Sequence, residues 1–235
     1  MDAVIQQHMQ SRSAYGLTVK IYRESLSFER NILIQRRRVM NNCLDGYVFE
    51  PRYLETIKKV TDRHLCSSKR LVCFRFDLHF HHDQNYNDPT VISRFIEAFK
   101  SRLKVWDSKR KSTSSIRFGF IWCREQAAGA NWHYHVAFFF NMNAVSCWGK
   151  LELDRENLYC RILNAWASAL NDNPYNVVGL VHTCKNGTYH LEQSNPNFSM
   201  VYSDLMKRLS YLAKVKTKQI GDGYRHFGCS QDILM

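Results

Sequence analysis

The segment from Glu125 to Phe140 reads E-Q-A-A-G-A-N-W-H-Y-H-V-A-F-F-F and decides the interpretation of the whole chain. It follows an apolar run, Ile116 to Cys123, and starts a second apolar run after His133. The residues between the two runs, 127–131, are small and turn-forming. Two apolar runs of strand length joined by such a loop predict a β-hairpin. We therefore expect Glu125, at the end of the first strand, to lie beside the histidines at the start of the second.

These histidines, His133 and His135, are separated by one residue. Residues i and i+2 of a strand point to the same face of the sheet, so the two imidazoles can converge on one point. Together with Glu125 they form a set of two nitrogen donors and one oxygen donor, which predicts a divalent metal site. Mixed ligation of this kind suits Mg²⁺ or Mn²⁺ as well as Zn²⁺, and we favour the first two. The competing interpretation is a pair of ordinary hydrogen-bonded histidines.

The order of elements after Leu71 predicts the fold. Leu71 to Phe80 becomes a strict alternation of apolar and polar residues from Phe74 onward, which is typical of a strand with one buried face. A helix over 88–106, the hairpin, a helix over 152–171 and an apolar strand over 177–183 follow. The order β-α-β-β-α-β, with a last helix over 200–215, predicts a ferredoxin-like α+β fold with an antiparallel sheet. Asn186-Gly187 predicts a hairpin turn after the last of these strands.

The polar linker Ser67-Ser68-Lys69-Arg70 marks the expected domain boundary. We expect residues 1–68 to form a helical N-terminal extension, with helices over 11–42 and 53–64, and residues 69–235 to form the main domain. No motif in the first 68 residues indicates a function.

Charge indicates the kind of partner. The chain of 235 residues carries a formal net charge of +12, which favours a polyanion, most often nucleic acid. No apolar run reaches the roughly 18 residues of a membrane span, and the N-terminus lacks the order of a signal peptide. The basic residues expected to contact DNA are Arg36, Arg37, Arg38, Lys109, Arg110, Lys111, Lys207, Arg208, Lys216 and Lys218. For the first three, a solvated helix face is the alternative.

A second motif lies near the end of the chain, where Tyr211 and Lys214 are three residues apart in the expected last helix. Such residues lie on one helix face. A phenol with a pKa of about 10 is a poor nucleophile at neutral pH, but a nearby ammonium and a metal-bound phosphate favour its phenolate form. A plain surface pair is the alternative.

Asp77 and His79 share one face of the first strand, which runs beside the histidine strand in a ferredoxin-like sheet. Asp77 is a candidate partner for a ligand histidine or an additional ligand. The alternative for both residues is a solvated strand face.

The combination of Glu125, His133-x-His135 and a later Tyr211-x-x-Lys214 resembles the HUH endonuclease superfamily, and rolling-circle replication initiators in particular. More closely, W-C-R-E-Q (122–126), H-Y-H-V-A-F-F-F-N (133–141), R-L-S-Y-L-A-K (208–214) and F-G-C-S (227–230) are similar to the YagK/YfjJ-like group of prophage and inovirus replication proteins. The resemblance covers roughly Leu71 to the C-terminus.

The resemblance implies a nickase that acts in the cytoplasm of a bacterial host cell. Its metal would be held by Glu125, His133 and His135, and Tyr211 would cut single-stranded or hairpin origin DNA, leaving a 5′-phosphotyrosine link and a free 3′-hydroxyl. Lys214 would orient the phosphate, a host helicase and polymerase would follow, and the reverse reaction would rejoin the ends. The alternatives are a DNA-binding regulator that keeps the fold without the chemistry and a zinc hydrolase with the same ligands.

Overall fold

A computed structural model of the chain describes residues 47–82, 88–126, 131–215, 218 and 223–234. These residues belong to a unit that runs from Gly46 to Met235. The helix predicted over 11–42, the basic run Arg36-Arg37-Arg38 and Lys216 lie outside the described residues.

An antiparallel sheet forms the centre of this unit. Its strands are β1 (Arg70–Leu78), β2 (Phe118–Glu125), β3 (His133–Asn141), β4 (Val181–Glu192) and β5 (Phe227–Cys229). They lie in the order β4-β1-β3-β2-β5, and each neighbouring pair is antiparallel. The first four strands have the order of a ferredoxin-like fold, which confirms the predicted α+β class, and β5 extends the sheet beyond β2.

Helices cover both faces of the sheet. They are α1 (Pro51–Ser67), α2 (Val91–Lys109), α3 (Leu158–Leu170) and α4 (Phe198–Ser210). The helices α2 and α3 pack together over one face, and α1 and α4 lie over the other. None of the helices in the described part of the chain is both long and apolar enough to cross a bilayer.

The sequence of β1 explains where the polar residues of the sheet lie. Its even-numbered residues from 72 to 78 are all apolar and face α2 and α3. On the other face, Leu71 and Cys73 join the core under α1 and α4, but the next two residues on that face are Arg75 and Asp77. This second face is therefore apolar at one end of the sheet and charged at the other.

The prediction of a hairpin at Asn186-Gly187 is wrong. The residues on both sides of this dipeptide pair with the same strand, β1, so β4 is one strand interrupted by a bulge. Asn186 does have the left-handed backbone that its sequence favours, with φ 54°. Gly187 passes so close to β1 that a Cβ atom would lie 2.6 Å from the carbonyl oxygen of Arg75. Pairing with β1 thus overrides the local preference of Asn186-Gly187 for a hairpin turn. The strand β4 begins at Val181, after a 3₁₀ turn over Val178–Leu180.

The helix α1 lies on the N-terminal side of the domain boundary that we predicted between residues 68 and 69. Ile57, Val60 and Leu65 of α1 are buried in the same core as Phe139 of the sheet. A helix on the N-terminal side of the predicted boundary is therefore part of the packing of the sheet.

Candidate functional site

Three adjacent strands bring the candidate metal ligands together. In the antiparallel register of β2 and β3, Glu125 is opposite His133 and Cys123 is opposite His135. On the other side of β3, Asp77 of β1 is also opposite His135. All of these side chains lie on the face of the sheet that α4 covers. The predicted hairpin, with Glu125 beside the histidines, is present.

The distances between the donor atoms fit one metal ion. The Nε2 atoms of His133 and His135 are 3.2 Å apart, and Nε2 of His135 is 3.4 Å from Oε2 of Glu125. Ligands at about 2.1 Å from a metal lie roughly 3.0 Å apart at right angles and roughly 3.4 Å apart at tetrahedral angles. All three ligand atoms lie within 4.8 Å of one another. The donor set therefore fits a small divalent cation with open positions.

Asp77 fixes the orientation of His135. Its Oδ1 is 2.6 Å from Nδ1 of His135, so Nδ1 carries the hydrogen and Nε2 faces Glu125. Burial by itself would lower the pKa of His135, but the hydrogen bonds to Asp77 and Glu125 outweigh it and raise the pKa. Burial would likewise raise the pKa of Asp77, but His135 and the Arg75 guanidinium hold that pKa well below its usual range. Asp77 is thus a carboxylate in the position to orient a candidate metal-ligating histidine.

His133 is neutral at physiological pH. Burial, with the imidazoles of His135 and His79 nearby, lowers the pKa of His133 to about 4. The ring of His79 stacks on that of His133, with centroids 5.4 Å apart. His79 therefore supports the ligand by ring contact. A neutral imidazole has the free lone pair that a metal requires.

Lys218 occupies an unexpected position. We predicted that it would contact DNA, but its side chain is completely buried, with 0% exposure, and its Nζ lies 2.9 Å from Oε1 of Glu125. The same ammonium donates a hydrogen bond of 2.6 Å to the carbonyl oxygen of Lys214. Oε1 of Glu125 is thereby held by Lys218, while Oε2 is the oxygen that faces His135.

Tyr211 and Lys214 lie in a turn at the end of α4. The predicted helix over 200–215 ends as an α-helix at Ser210, continues as a 3₁₀ turn over Tyr211–Ala213, and gives way to an extended backbone at Lys214. Lys214 leaves the helix because its backbone pairs with that of Phe49. The Lys214 ammonium still lies over the Tyr211 ring, 4.7 Å from its centroid, and 4.5 Å from that of Tyr47. The pair predicted on one helix face is therefore adjacent, by way of this turn.

One cavity connects the two motifs. It has a volume of about 590 Å³, and its wall includes His135 from the candidate metal site together with Tyr211 and Lys214. Among the described residues of the wall, Arg75, Lys207, Arg208 and Lys214 are positively charged and Asp204 is negatively charged. The cavity therefore has an excess of positive charge next to the phenol.

Comparison with known proteins identifies the family. The model of the YagK/YfjJ C-terminal domain matches residues 33–230. The chain belongs to the YagK/YfjJ family. It is 36% identical over 198 residues to the uncharacterized protein YfjJ of Escherichia coli strain K12, a match that covers 76% of this chain and 93% of the relative. It is also 35% identical over 176 residues to the uncharacterized protein YagK of the same strain, covering 69% of this chain and 84% of the relative. No solved structure gives a significant match.

The other predicted DNA contacts of this YagK/YfjJ-family chain are divided between two sides of the sheet. Lys207 and Arg208 line the cavity. Lys109 is the last residue of α2, on the opposite face, and Arg110 pairs there with Asp107 at 3.1 Å, while Lys111 is exposed in the loop that follows. The basic loop over 109–111 therefore lies away from the candidate metal site.

Arg75 is a residue of this site that we did not predict. Its alternation with Phe74 and Phe76 had marked it only as a polar position on a strand. In the family member described here it is 6% exposed, bonds to Asp77 and lines the cavity. The sequence signal that could have identified it is an arginine within an apolar run, two positions before a candidate site carboxylate.

Proposed function

We propose that this chain is a metal-dependent HUH-type endonuclease that nicks and rejoins single-stranded origin DNA through a 5′-phosphotyrosine intermediate, as an initiator of rolling-circle replication. It would act in the bacterial cytoplasm on a single-stranded or hairpin origin, with a host helicase and polymerase. The bound Mg²⁺ or Mn²⁺ would polarise the scissile phosphate. Glu125, His133 and His135 would hold that ion.

The observation that carries the proposal is the cavity shared by His135 and Tyr211. A phosphodiester in it would be within reach of both the candidate metal site and the phenol. The cationic side chains of its wall favour a polyanion and stabilise the negative charge that develops during phosphoryl transfer. Neither motif alone supports a reaction, because a metal site without a nucleophile and a tyrosine without a metal site each have ordinary structural explanations.

In the proposed reaction, the Oη atom of Tyr211 attacks the phosphorus in line with the bond to the 3′-oxygen. The Oη–P bond forms, the bond from phosphorus to the 3′-oxygen breaks, and the phenolic proton is lost to solvent. The leaving 3′-oxygen takes up a proton and becomes a hydroxyl. The Lys214 ammonium, which lies over the Tyr211 ring, is placed to stabilise negative charge on the phenolate and the phosphate. Attack of a 3′-hydroxyl on the phosphotyrosine reverses these steps and joins the ends.

The test is covalent adduct formation with a pool of labelled single-stranded oligonucleotides that tile the replicon of origin, in Mn²⁺ or Mg²⁺, resolved on a denaturing gel. We expect a protein–DNA adduct that requires the metal and is absent in Tyr211→Phe. Tyr202→Phe is the matched control, since Tyr202 lies in α4, before the turn that carries Tyr211, and bonds to Asp62 of α1; this variant should retain the adduct. An adduct that persists in Tyr211→Phe contradicts the proposed nucleophile.

The alternative is a DNA-binding regulator without catalysis, and one observation favours it. Glu125 already has a buried cationic partner in Lys218, so its carboxylate is neutralised without any metal. A regulator would bind DNA with equal affinity in EDTA and in Mn²⁺, and would bind equally well after His133→Ala. Wild-type protein that binds DNA in this manner and never forms an adduct would select this alternative over the nickase.

A further inference from the structure

The bulge in β4 lies directly opposite Arg75. On β1, Phe74 pairs with Thr188 and Phe76 pairs with Thr183, so Arg75 alone faces the four residues 184–187. Bulges re-aim side chains and are frequent beside functional sites. Here the bulge is held against β1 at Gly187, where no side chain larger than hydrogen fits. Asn186 in the bulge and Thr188 and Tyr189 just beyond it then form part of the cavity wall.

Arg75 has unused hydrogen-bonding capacity in this wall. It is 6% exposed, and the two hydrogens of its Nη1 are directed at Asp77 and at the carbonyl oxygen of Phe76, 2.5 Å away, with Sγ of Cys184 in contact at 3.7 Å. Its buried Nε has no hydrogen-bond partner among the residues that the structure describes. Leaving a buried donor of a charged group unsatisfied costs about 1–3 kcal/mol or more, so a water molecule or a ligand atom is expected next to this guanidinium. The carboxylate of Asp77 also accepts a hydrogen bond from His135, so it neutralises only part of the positive charge of the Arg75 guanidinium.

Arg208 is fixed on the same side of the cavity by the bulge. Its Nη2 donates to the carbonyl oxygen of Lys185, within the bulge, at 3.0 Å, and its Nε donates to the hydroxyl of Tyr189 at 3.2 Å. Two contacts from one guanidinium determine where its remaining donors point. The bulge therefore orders a second arginine in the wall that Arg75 lines.

A phosphate is the ligand that this arrangement fits. Planar guanidinium groups bind phosphate oxygens through paired hydrogen bonds. Among the described residues that line the cavity, Asp204 is the only carboxylate, against four cationic side chains. The volume of about 590 Å³ is more than a single phosphate fills, and it lies within the range of about 300–1,000 Å³ typical of ligand sites. The cavity therefore has room for more than one phosphate.

We propose that Arg75 and Arg208 form a second phosphate subsite, which binds a phosphodiester of the same single strand next to the one that Tyr211 attacks. The subsite rests on the proposed function for the identity of the strand. Its role is to fix the register of the strand, so that one particular phosphate reaches the metal and the phenol. The β4 bulge is the element that builds it.

The test measures binding of a fluorescein-labelled dT₁₅ oligonucleotide in EDTA by anisotropy, as a function of NaCl concentration. Each phosphate contact contributes about 0.7 to the slope of log K against log[salt] for a single strand. We expect Arg75→Gln and Arg208→Gln each to reduce that slope by about 0.7. Lys185→Gln removes the same charge from an exposed position in the same bulge and should change the slope by less than half as much.

Because the bond from Arg75 to Asp77 supports folding, thermal unfolding is recorded for both variants, and Arg208→Gln keeps the test valid if Arg75→Gln is unfolded. Slopes unchanged in Arg208→Gln, or reduced equally by Lys185→Gln, overturn the subsite. Saturation by inorganic phosphate at micromolar concentration would show a free-phosphate site and overturn the assignment to a strand. These experiments measure binding and not cleavage, so the subsite can be tested even if the adduct assay of the proposed function fails.

Discussion

The hydrogen bond between Asp77 and His135 gives the sharpest prediction about the candidate metal centre. Asp77→Asn keeps the size of the side chain but removes its charge, so the 2.6 Å contact to Nδ1 of His135 loses its ionic character. Both groups are largely buried, with side-chain exposures of 15% and 21%, so water replaces little of the lost interaction. The imidazole also becomes less basic, since Asp77 raises its pKa.

Loss of such a partner typically weakens metal affinity 10–100-fold, which is about 1.4–2.8 kcal/mol of binding free energy. We place Asp77→Asn in the upper half of this range, because the contact is short and because the variant also leaves the buried Arg75 without its carboxylate. The measurement is isothermal titration calorimetry of Mn²⁺ binding, on protein whose folding is confirmed by circular dichroism at the same temperature.

The control is Asp154→Asn. Asp154 is exposed and has φ 64°, a backbone conformation that asparagine adopts readily, so the same chemical change there should leave Mn²⁺ affinity within twofold. A dissociation constant for Asp77→Asn within twofold of wild type would refute the reasoning, provided that His135→Ala abolishes binding. If His135→Ala also binds normally, the ion is held elsewhere and the assigned centre is wrong.

Three further predictions concern folding. His64 is buried, and burial is the main reason that its pKa is lowered to about 4, so the unfolded chain binds the proton more tightly than the folded chain does. The free energy of unfolding is therefore highest above pH 6.5 and falls by about 3 kcal/mol by pH 4. Urea titrations should show that this loss is smaller in His64→Leu. Gly119→Ala places a methyl group 1.9 Å from Nε2 of His64, so calorimetry should show that the free energy of unfolding falls by about 1–3 kcal/mol. This loss should be largely relieved when His64→Ala is added. An unchanged melting temperature would contradict the packing. Lys218→Met leaves Glu125 buried without its cation and should cost about 3 kcal/mol or more. Differential scanning fluorimetry should then show a larger Mn²⁺-induced shift than in wild type, and equal shifts would contradict the pairing.

Much of the site followed from the sequence because strand periodicity and antiparallel register are local rules. A hairpin with its loop over 127–131 predicts Glu125 beside His133, and the alternation in β1 predicts Asp77 on a polar face next to the histidine strand; the register of the three strands agrees with both predictions. The order of elements was sufficient for the ferredoxin-like sheet.

The features that the sequence did not reveal depend on contacts between distant segments. Asn186 has the backbone that a hairpin turn requires, yet β1 provides hydrogen bonds on both sides of it, and a bulge satisfies both demands. Lys218 looked like one more surface lysine in a basic chain. Its burial depends on a carboxylate 93 positions earlier, which no local pattern of charge indicates.

The two hydrogen bonds of Lys218 have a thermodynamic consequence for the proposed enzyme. One ammonium contacts Glu125 of the candidate metal centre and the backbone of the turn that carries Tyr211. A metal ion bound to Glu125 would weaken the ion pair between Glu125 and Lys218 and so alter the hydrogen bond from Lys218 to that turn. A ligand bound to the turn would in turn alter the ion pair with Glu125. Binding linkage is reciprocal, so the factor by which Mn²⁺ alters affinity for the strand must equal the factor by which the strand alters affinity for Mn²⁺. Lys218 would then be the side chain that couples the binding of Mn²⁺ to the binding of the strand.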